Sequence, residues 1–241
     1  MDKYEALKQI IKGNKKIVFF TGAGISVPSG IPDFRSANGL YNDKDYQGYR
    51  PEEIISHHFF MNNPDLFYKF YRSKMIFPHA KPNLAHLYIA TLEKDHNVTV
   101  ITQNIDGLHQ KAGSTDVIEL HGSVHKNRCL RCQKEYSLEE ILKMDNVPYC
   151  PICHGLIKPD VVLYEEQLKE IDIENALEAI STADVLIIIG TSLVVYPAAG
   201  FVKYFSGKHL IVINKDETAL DLKTSLYFKE DVIEVIKKLY E

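Results

Sequence analysis

Two cysteine pairs, a glycine loop and a set of polar residues at the ends of apolar runs are where this chain of 241 residues could do chemistry. Cys129 and Cys132 are separated by two residues, and so are Cys150 and Cys153, with seventeen residues between the pairs. Each pair can wrap a tight turn around one side of a metal, so that four thiolates complete a zinc tetrahedron with no open position. Such a site supports folding and activates no water. Four unrelated buried thiols would rarely fall into two such pairs at this separation.

The second candidate is Gly22-Ala23-Gly24, directly after the apolar run Ile17–Thr21. A Gly-x-Gly turn leaving a strand resembles the start of a dinucleotide loop, where the backbone must approach pyrophosphate closely. The third glycine of the regular fingerprint should fall at position 27, which is Val27. On its own the turn is a weak signal. The longer run from Gly22 to Arg35 says more, because it places Asp33, Phe34 and Arg35 just beyond the loop on proline-restricted backbone.

These residues need elements to position them. Five apolar runs rich in β-branched residues read as strands: Ile17–Thr21, Val98–Thr102, Val117–Leu120, Val185–Ile189 and Leu210–Ile213. Continuous runs of this length suit strands buried on both faces, as in a parallel sheet. Tyr4, Leu7, Ile10 and Ile11 share a helical face, and Pro82 to Leu92 and Val232 to Leu239 repeat that spacing. Asn63 followed by Pro64 predicts an N-cap and a helix through Phe67, Phe70 and Tyr71. The alternation predicts an α/β fold, a doubly wound parallel sheet of Rossmann-like type.

Four strand exits carry polar or small residues: Gly22 to Ser26, Gln103-Asn104-Ile105-Asp106, Gly190-Thr191-Ser192 and Asn214-Lys215-Asp216. Open α/β sheets bind ligands in the crevice outside the carboxyl ends of their strands. Residues 1–35, 83–121 and 159–241 are assigned to the sheet domain. Residues 36–82 and 122–158 read as two insertions that build a smaller helical and zinc-binding module, with a zinc ribbon, beside the sheet.

Composition narrows the function classes. Apolar residues make up 45% and charged residues 25%, and the net charge is −4, so no global field draws the chain to nucleic acid or an anionic membrane. Within 122–158, six Lys or Arg stand against four Asp or Glu, a weak balance for a nucleic-acid-binding ribbon. No apolar run approaches the ~18 residues of a membrane span, and the first residues do not read as a signal peptide. A cytoplasmic location is expected, where cysteines are metal ligands more often than disulfides.

Four motifs resemble those of the sirtuin family, in family order and across most of the chain. They are Gly22 to Arg35, Thr102 to His109, Glu119-Leu120-His121-Gly122, and Gly190 to Leu193 with Asn214 after the next strand. The resemblance implies an NAD-dependent protein-lysine deacetylase, with NAD as co-substrate and one structural Zn2+ on Cys129, Cys132, Cys150 and Cys153. The products would be nicotinamide, free lysine and O-acyl-ADP-ribose. It assigns His121 as general base; an imidazole of ordinary pKa (~6.5) can accept a proton near neutrality. It assigns the cofactor to Gly22, Ala23, Gly24, Asp33, Phe34, Arg35, Gln103, Asn104, Ile105, Asp106, Gly190, Thr191, Ser192, Asn214, Lys215 and Val232. Acetylated protein or peptide would bind as an added strand between 162–166 and 193–196.

The chain departs from the family at Tyr164-Glu165-Glu166, where relatives usually carry Phe-Gly-Glu. Relatives that prefer succinyl or malonyl lysine carry Tyr-x-x-Arg in the helix after Pro64; here Tyr71 stands three residues after Tyr68, and Arg72 four. Acetyl or another uncharged acyl group is therefore the expected substrate, with a displaced Tyr68–Arg72 pair as the alternative. A nicotinamide oxidoreductase would want the regular third glycine and an acidic residue about 20 positions later, and neither is in place.

Overall fold

Every apolar run named above becomes a strand of one parallel sheet. The structure is a computed structural model and describes residues 2–33, 47–218 and 223–241. Along the chain come α1 (Lys3–Gly13), β1 (Lys16–Thr21), α2 (Pro51–Ile54), α3 (His57–Asn62), α4 (Pro64–Lys74), α5 (Leu84–Leu92) and β2 (Asn97–Thr102). Then follow α6 (Leu108–Ala112), β3 (Val117–Glu119), β4 (Gly122–Cys129), β5 (Glu135–Ser137), α7 (Leu138–Lys143) and β6 (Ile157–Val161). The chain closes with α8 (Glu170–Thr182), β7 (Val185–Ile189), α9 (Ala198–Phe201), β8 (His209–Ile213), β9 (Leu226–Phe228) and α10 (Val232–Tyr240).

The six-stranded sheet has the order β3-β2-β1-β7-β8-β9 with all pairs parallel. The order reverses between β1 and β7, which is the topological switch point of a doubly wound fold. Both faces are covered. Ile17, Phe19, Val100, Ile187 and Ile211 pack with α1, α5 and α10 on one side. Val18, Phe20, Leu186, Ile188 and Val212 pack with Ala176 and Ile180 of α8 and with α9 on the other.

Between β1 and α5 the chain forms α2 to α4. Phe60, Phe67, Tyr68, Phe70 and Tyr71 are fully or almost fully buried there and share a core with Val124, Leu138, Val161 and Leu163. Asn63 does precede α4, but its side chain makes no capping bond; Pro64 in the first turn carries the start instead. Residues 122–161 form a three-stranded antiparallel sheet, β5-β4-β6, closed at its far end by the cysteines; β6 runs three residues past the boundary expected at 158.

Candidate active site and metal centre

The switch point brings two glycine-bearing exits into contact. Gly22 N donates to Ile189 O (3.0 Å) and Gly24 N to Gly190 O (2.8 Å), so the β1 and β7 ladders continue past the strands. A Cβ on Gly24 would lie 2.6 Å from Gly190 Cα, and one on Gly190 (φ 62°) 2.4 Å from Ile25 N. These glycines therefore permit the two exits to approach each other, a demand that precedes any ligand. The loop is held from beneath by Asn83, the N-cap of α5. Its Oδ1 accepts from Ala85 N (3.0 Å), while Nδ2 donates to Ile25 O (2.8 Å) and Ser29 Oγ (2.9 Å).

A cleft of about 620 Å³ opens above this edge. It is lined by Gly22, Ala23, Gly24, Asp33, Gln103, Asn104, Ile105, Asp106, His121, Gly190, Thr191, Ser192, Asn214, Lys215 and Val232. Sequence reasoning assigned Phe34 and Arg35 to the cofactor as well; both lie outside the described residues. Lys215 lines the cleft but is paired with Asp231 (2.8 Å), which caps α10 by accepting from Ile233 N (2.7 Å).

Inside the cleft the side chains are fixed by one another. Asn104 Nδ2 donates to Gly22 O (3.2 Å) and Ser26 Oγ (3.1 Å). Ser26 Oγ in turn donates to Asp106 Oδ2 (2.7 Å), and Leu108 N donates to Asp106 Oδ1 (2.9 Å). Burial pushes the Asp106 carboxyl above its ordinary range, against those two hydrogen bonds. Ser26, which the sequence places in the β1 exit without a role of its own, joins the glycine loop to the β2 exit. Its only signal was a polar residue inside a short loop, which is common in turns.

His121 stands at the end of the β3 run. Its Nδ1 lies 2.9 Å from Gln103 O, and a carbonyl can only accept, so Nδ1 carries the proton and Nε2 keeps its lone pair. Burial lowers the His121 pKa, partly opposed by that carbonyl, which keeps the ring neutral near pH 7. Gly122 (φ 73°) follows, and a Cβ there would come within 1.9 Å of Asp160 O. Only glycine lets β4 turn against β6 at this point and leaves His121 facing the cleft.

Two other histidines lie beneath the site. His109 Nε2 and Thr21 Oγ1 are 3.1 Å apart, and the His109 and His86 rings meet edge to face at 4.8 Å. Both are buried, and desolvation pushes their pKa down to about 3 for His109 and about 4 for His86. They are packed, neutral supports of the β1 exit.

The four cysteine sulfurs lie within 4.8 Å of one another. Cys129 and Cys153 are 3.4 Å apart and Cys132 and Cys150 3.6 Å, far beyond the ~2.05 Å of a disulfide. Four Zn–S bonds of ~2.3 Å in a tetrahedron set sulfurs ~3.8 Å apart, so the cluster fits zinc with a slight opening. Arg131 N (3.4 Å) and Cys132 N (3.5 Å) donate to Cys129 Sγ, and Tyr136 OH donates to Cys150 Sγ (3.0 Å), bonds that favour thiolates.

The helix after Pro64 settles the position of Arg72. Its guanidinium donates to the carbonyls of Ile141 (2.9 Å), Met144 (3.3 Å) and Asp145 (2.9 Å), at the end of α7. Tyr68 donates to Ile157 O. Neither lines the cleft, so the displaced Tyr68–Arg72 pair does not form there.

Comparison with known proteins agrees with this geometry. A profile described as Sir2 family matches residues 22–197. An NAD-dependent protein deacetylase of Clostridium perfringens is 52% identical over 242 residues, covering 100% of this chain and 99% of the relative. One of Clostridium acetobutylicum is 51% identical over 239 residues, with 98% of each covered. Among solved structures, a Sir2 variant with deacetylated p53 peptide and 3'-O-acetyl ADP ribose superposes with TM-score 0.89 at 40% identity, over 99% of this chain and 97% of that one. A Sir2 complex with p53 peptide and NAD+ gives TM-score 0.86 at 40% identity, with the same coverage.

Proposed function

The chain belongs to the Sir2 family and is an NAD-dependent protein deacetylase, and we propose that His121 is the general base of its reaction. The observation that carries this assignment is the Nδ1 bond to Gln103 O, which leaves a neutral Nε2 in the cleft as proton acceptor. NAD, held by the residues that line the cleft, would supply the ribose carbon that the acyl oxygen attacks as the bond to nicotinamide breaks, and a ribose hydroxyl whose proton His121 Nε2 would accept.

The surrounding residues orient and exclude. Asn104 and Asp106 hold the nicotinamide end: Asp106 already accepts from Ser26 and Leu108 N, and its remaining lone pairs can accept from a carboxamide N–H. Gly22, Ala23 and Gly24 let the pyrophosphate come close to the chain, with the Gly22 and Gly24 N–H groups already given to Ile189 O and Gly190 O. Thr191, Ser192 and Asn214 face the adenosine end, with Thr191 Oγ1 fixed by Gln103 Nε2 (3.2 Å). The motif resemblance adds Phe34 and Arg35 to the residues assigned to the cofactor.

Peptide enters as an added strand between 162–166 and 193–196. One edge of the first segment is already taken, since Tyr164 N donates to Ile55 O (3.0 Å) and His57 N to Tyr164 O (3.0 Å). The acyl group is acetyl or another uncharged group, because Arg72 is spent on the carbonyls of Ile141, Met144 and Asp145, in the last turn of α7 and just past it. Zn2+ closes the ribbon and takes no part in the chemistry. The compartment this reading assigns is the cytoplasm, where thiolates stay reduced for zinc. Among the described residues no helix is long and apolar enough to cross a membrane.

The test is to incubate the protein with NAD and an acetyl-lysine peptide, following free nicotinamide and peptide mass together. Equal amounts of nicotinamide and deacetylated peptide are expected. Nicotinamide release with the peptide unchanged would replace deacetylation by ADP-ribosyl transfer or NAD hydrolysis.

A further inference from the structure

Three consecutive carbonyls fasten the turn that follows β2. Ile105 O accepts from Val124 N (3.0 Å) and Gly107 O from Lys111 N (3.0 Å), both backbone donors. The middle carbonyl, Asp106 O, lies 3.1 Å from Nε2 of His125. A carbonyl only accepts, so Nε2 carries the proton and donates it. The same imidazole fills the space beside Gly107: a Cβ there would lie 2.7 Å from His125 Cδ2 and 2.8 Å from Nε2. His125 lines the cleft, and no step described above uses it.

Gly107 has φ 69°, in the left-handed region. Glycine accepts either sign of φ, so the peptide plane between Asp106 and Gly107 can flip at little cost to Gly107. A flip would swing Asp106 O away from β4 and alter the backbone that carries the Asp106 carboxylate. The Nε2 bond and the ring packed on Gly107 both oppose it. The carboxylate itself is held by Ser26 Oγ (2.7 Å) and Leu108 N (2.9 Å). Main chain and side chain of Asp106 are thus fixed by different groups, and the main-chain group is a side chain of β4.

We propose that His125 is a positioning residue for the deacetylation reaction: it locks the Asp106–Gly107 peptide and so sets the Asp106 carboxylate for the nicotinamide carboxamide. The inference rests on the reading that Asp106 meets that carboxamide. His125 acts through Asp106 and transfers no proton. Its bond survives protonation of the ring, because Nε2–H is present in both forms.

The experiment uses the whole chain and four variants: His125→Phe, His125→Gln, Asp106→Asn, and the double variant His125→Phe with Asp106→Asn. For each, kcat and KM with one acetyl-lysine peptide, the Ki of added nicotinamide and the melting temperature are measured. Phe keeps a ring beside Gly107 and loses the donor, whereas Gln can bring an amide N–H close to the place of Nε2. His125→Phe should lower kcat and raise the nicotinamide Ki by about fivefold each, the scale of one net hydrogen bond. Peptide KM should stay within about twofold, and His125→Gln should recover most of the loss. The double variant should be no worse than Asp106→Asn alone, because groups acting as one unit are not additive. If His125→Phe leaves kcat and Ki unchanged while Asp106→Asn shifts both, the inference is overturned and the reading of Asp106 stands. If Asp106→Asn shifts neither, that reading fails and the inference with it. A His125→Phe protein that does not fold, or whose peptide KM and melting temperature worsen together with Ki and are not restored by Gln, makes His125 a structural residue and also overturns the inference.

Discussion

The zinc ribbon and the cleft are built from similar materials, short turns at the ends of strands, yet they handle polar atoms in opposite ways. In the ribbon, four sulfurs from two knuckles face one another and are met by Tyr136 and backbone N–H groups. In the cleft, Gln103, Asn104, His121 and Thr191 come from three separate parts of the chain, and each is pinned by a neighbour while still lining open space. A closed polar site stabilises a fold. An open one whose members are held by others can meet a substrate without reorganising. Substitutions should therefore separate cleanly, with loss of folding in one region and loss of turnover in the other.

The largest effect belongs to the ribbon. Cys150→Ser, or removal of the metal with a chelator, should unfold β4–β6 and reduce activity to near zero, since structural zinc binding is worth ~10 kcal/mol or more in such modules. Metal content with circular dichroism and thermal unfolding checks it. A metal-free protein that is well folded and active would dissolve the contrast between the regions.

The next effect should spare the fold. Asp106→Asn keeps the size and an oxygen for Leu108 N, but weakens the acceptor that orders Ser26 and the carboxamide. Turnover should fall by roughly 10–100-fold, and inhibition by added nicotinamide should weaken with it. An unfolded variant would place Asp106 with the structural residues, and unchanged kinetics would remove it from the pocket.

A third prediction concerns the two histidines beneath the cleft. His86 and His109 are neutral and depressed when folded, whereas in the unfolded chain they titrate near 6.5. The unfolded state then binds more protons below pH 6.5, so stability is present above that value and is lost as pH falls toward the lowered values. Two such groups predict a loss of roughly 2–3 kcal/mol between about pH 7.5 and about pH 5.5. Urea unfolding at the two pH values measures it; equal free energies would contradict the assignment.

The smallest effect is one of selectivity. With Arg72 bound to the end of α7, kcat/KM for an acetyl peptide should exceed that for the succinyl version at least several-fold, by analogy with ~10-fold discrimination for ~1.4 kcal/mol. A succinyl preference would mean that Arg72 leaves those carbonyls and reaches the acyl group.

The same contrast decides what could be read from sequence. Cysteine spacing is a local, rigid pattern, and the strands of a doubly covered parallel sheet are continuous apolar runs; both survive translation into a string of letters. β9 does not, because it is a three-residue edge strand with only Phe228 buried. The helix α8 was equally hard to find: Ala176 and Ile180 are the only residues it buries fully. Contacts between distant segments were the other loss. Ser26 on Asp106, Asn83 under the glycine loop and Arg72 on α7 join residues 58 to 80 positions apart, and no spacing rule anticipates them. The motif resemblance brought Phe34 and Arg35 into the site, and both lie outside the described residues.

The most direct measurement compares His121→Ala with the wild-type protein in two assays, deacetylation of one acetyl-lysine peptide and NAD binding by calorimetry. Loss of a general base should lower turnover by ~10²–10⁴ while NAD affinity stays within a few-fold and the melting temperature is preserved. Turnover near the wild-type value in a folded His121→Ala protein would contradict the account.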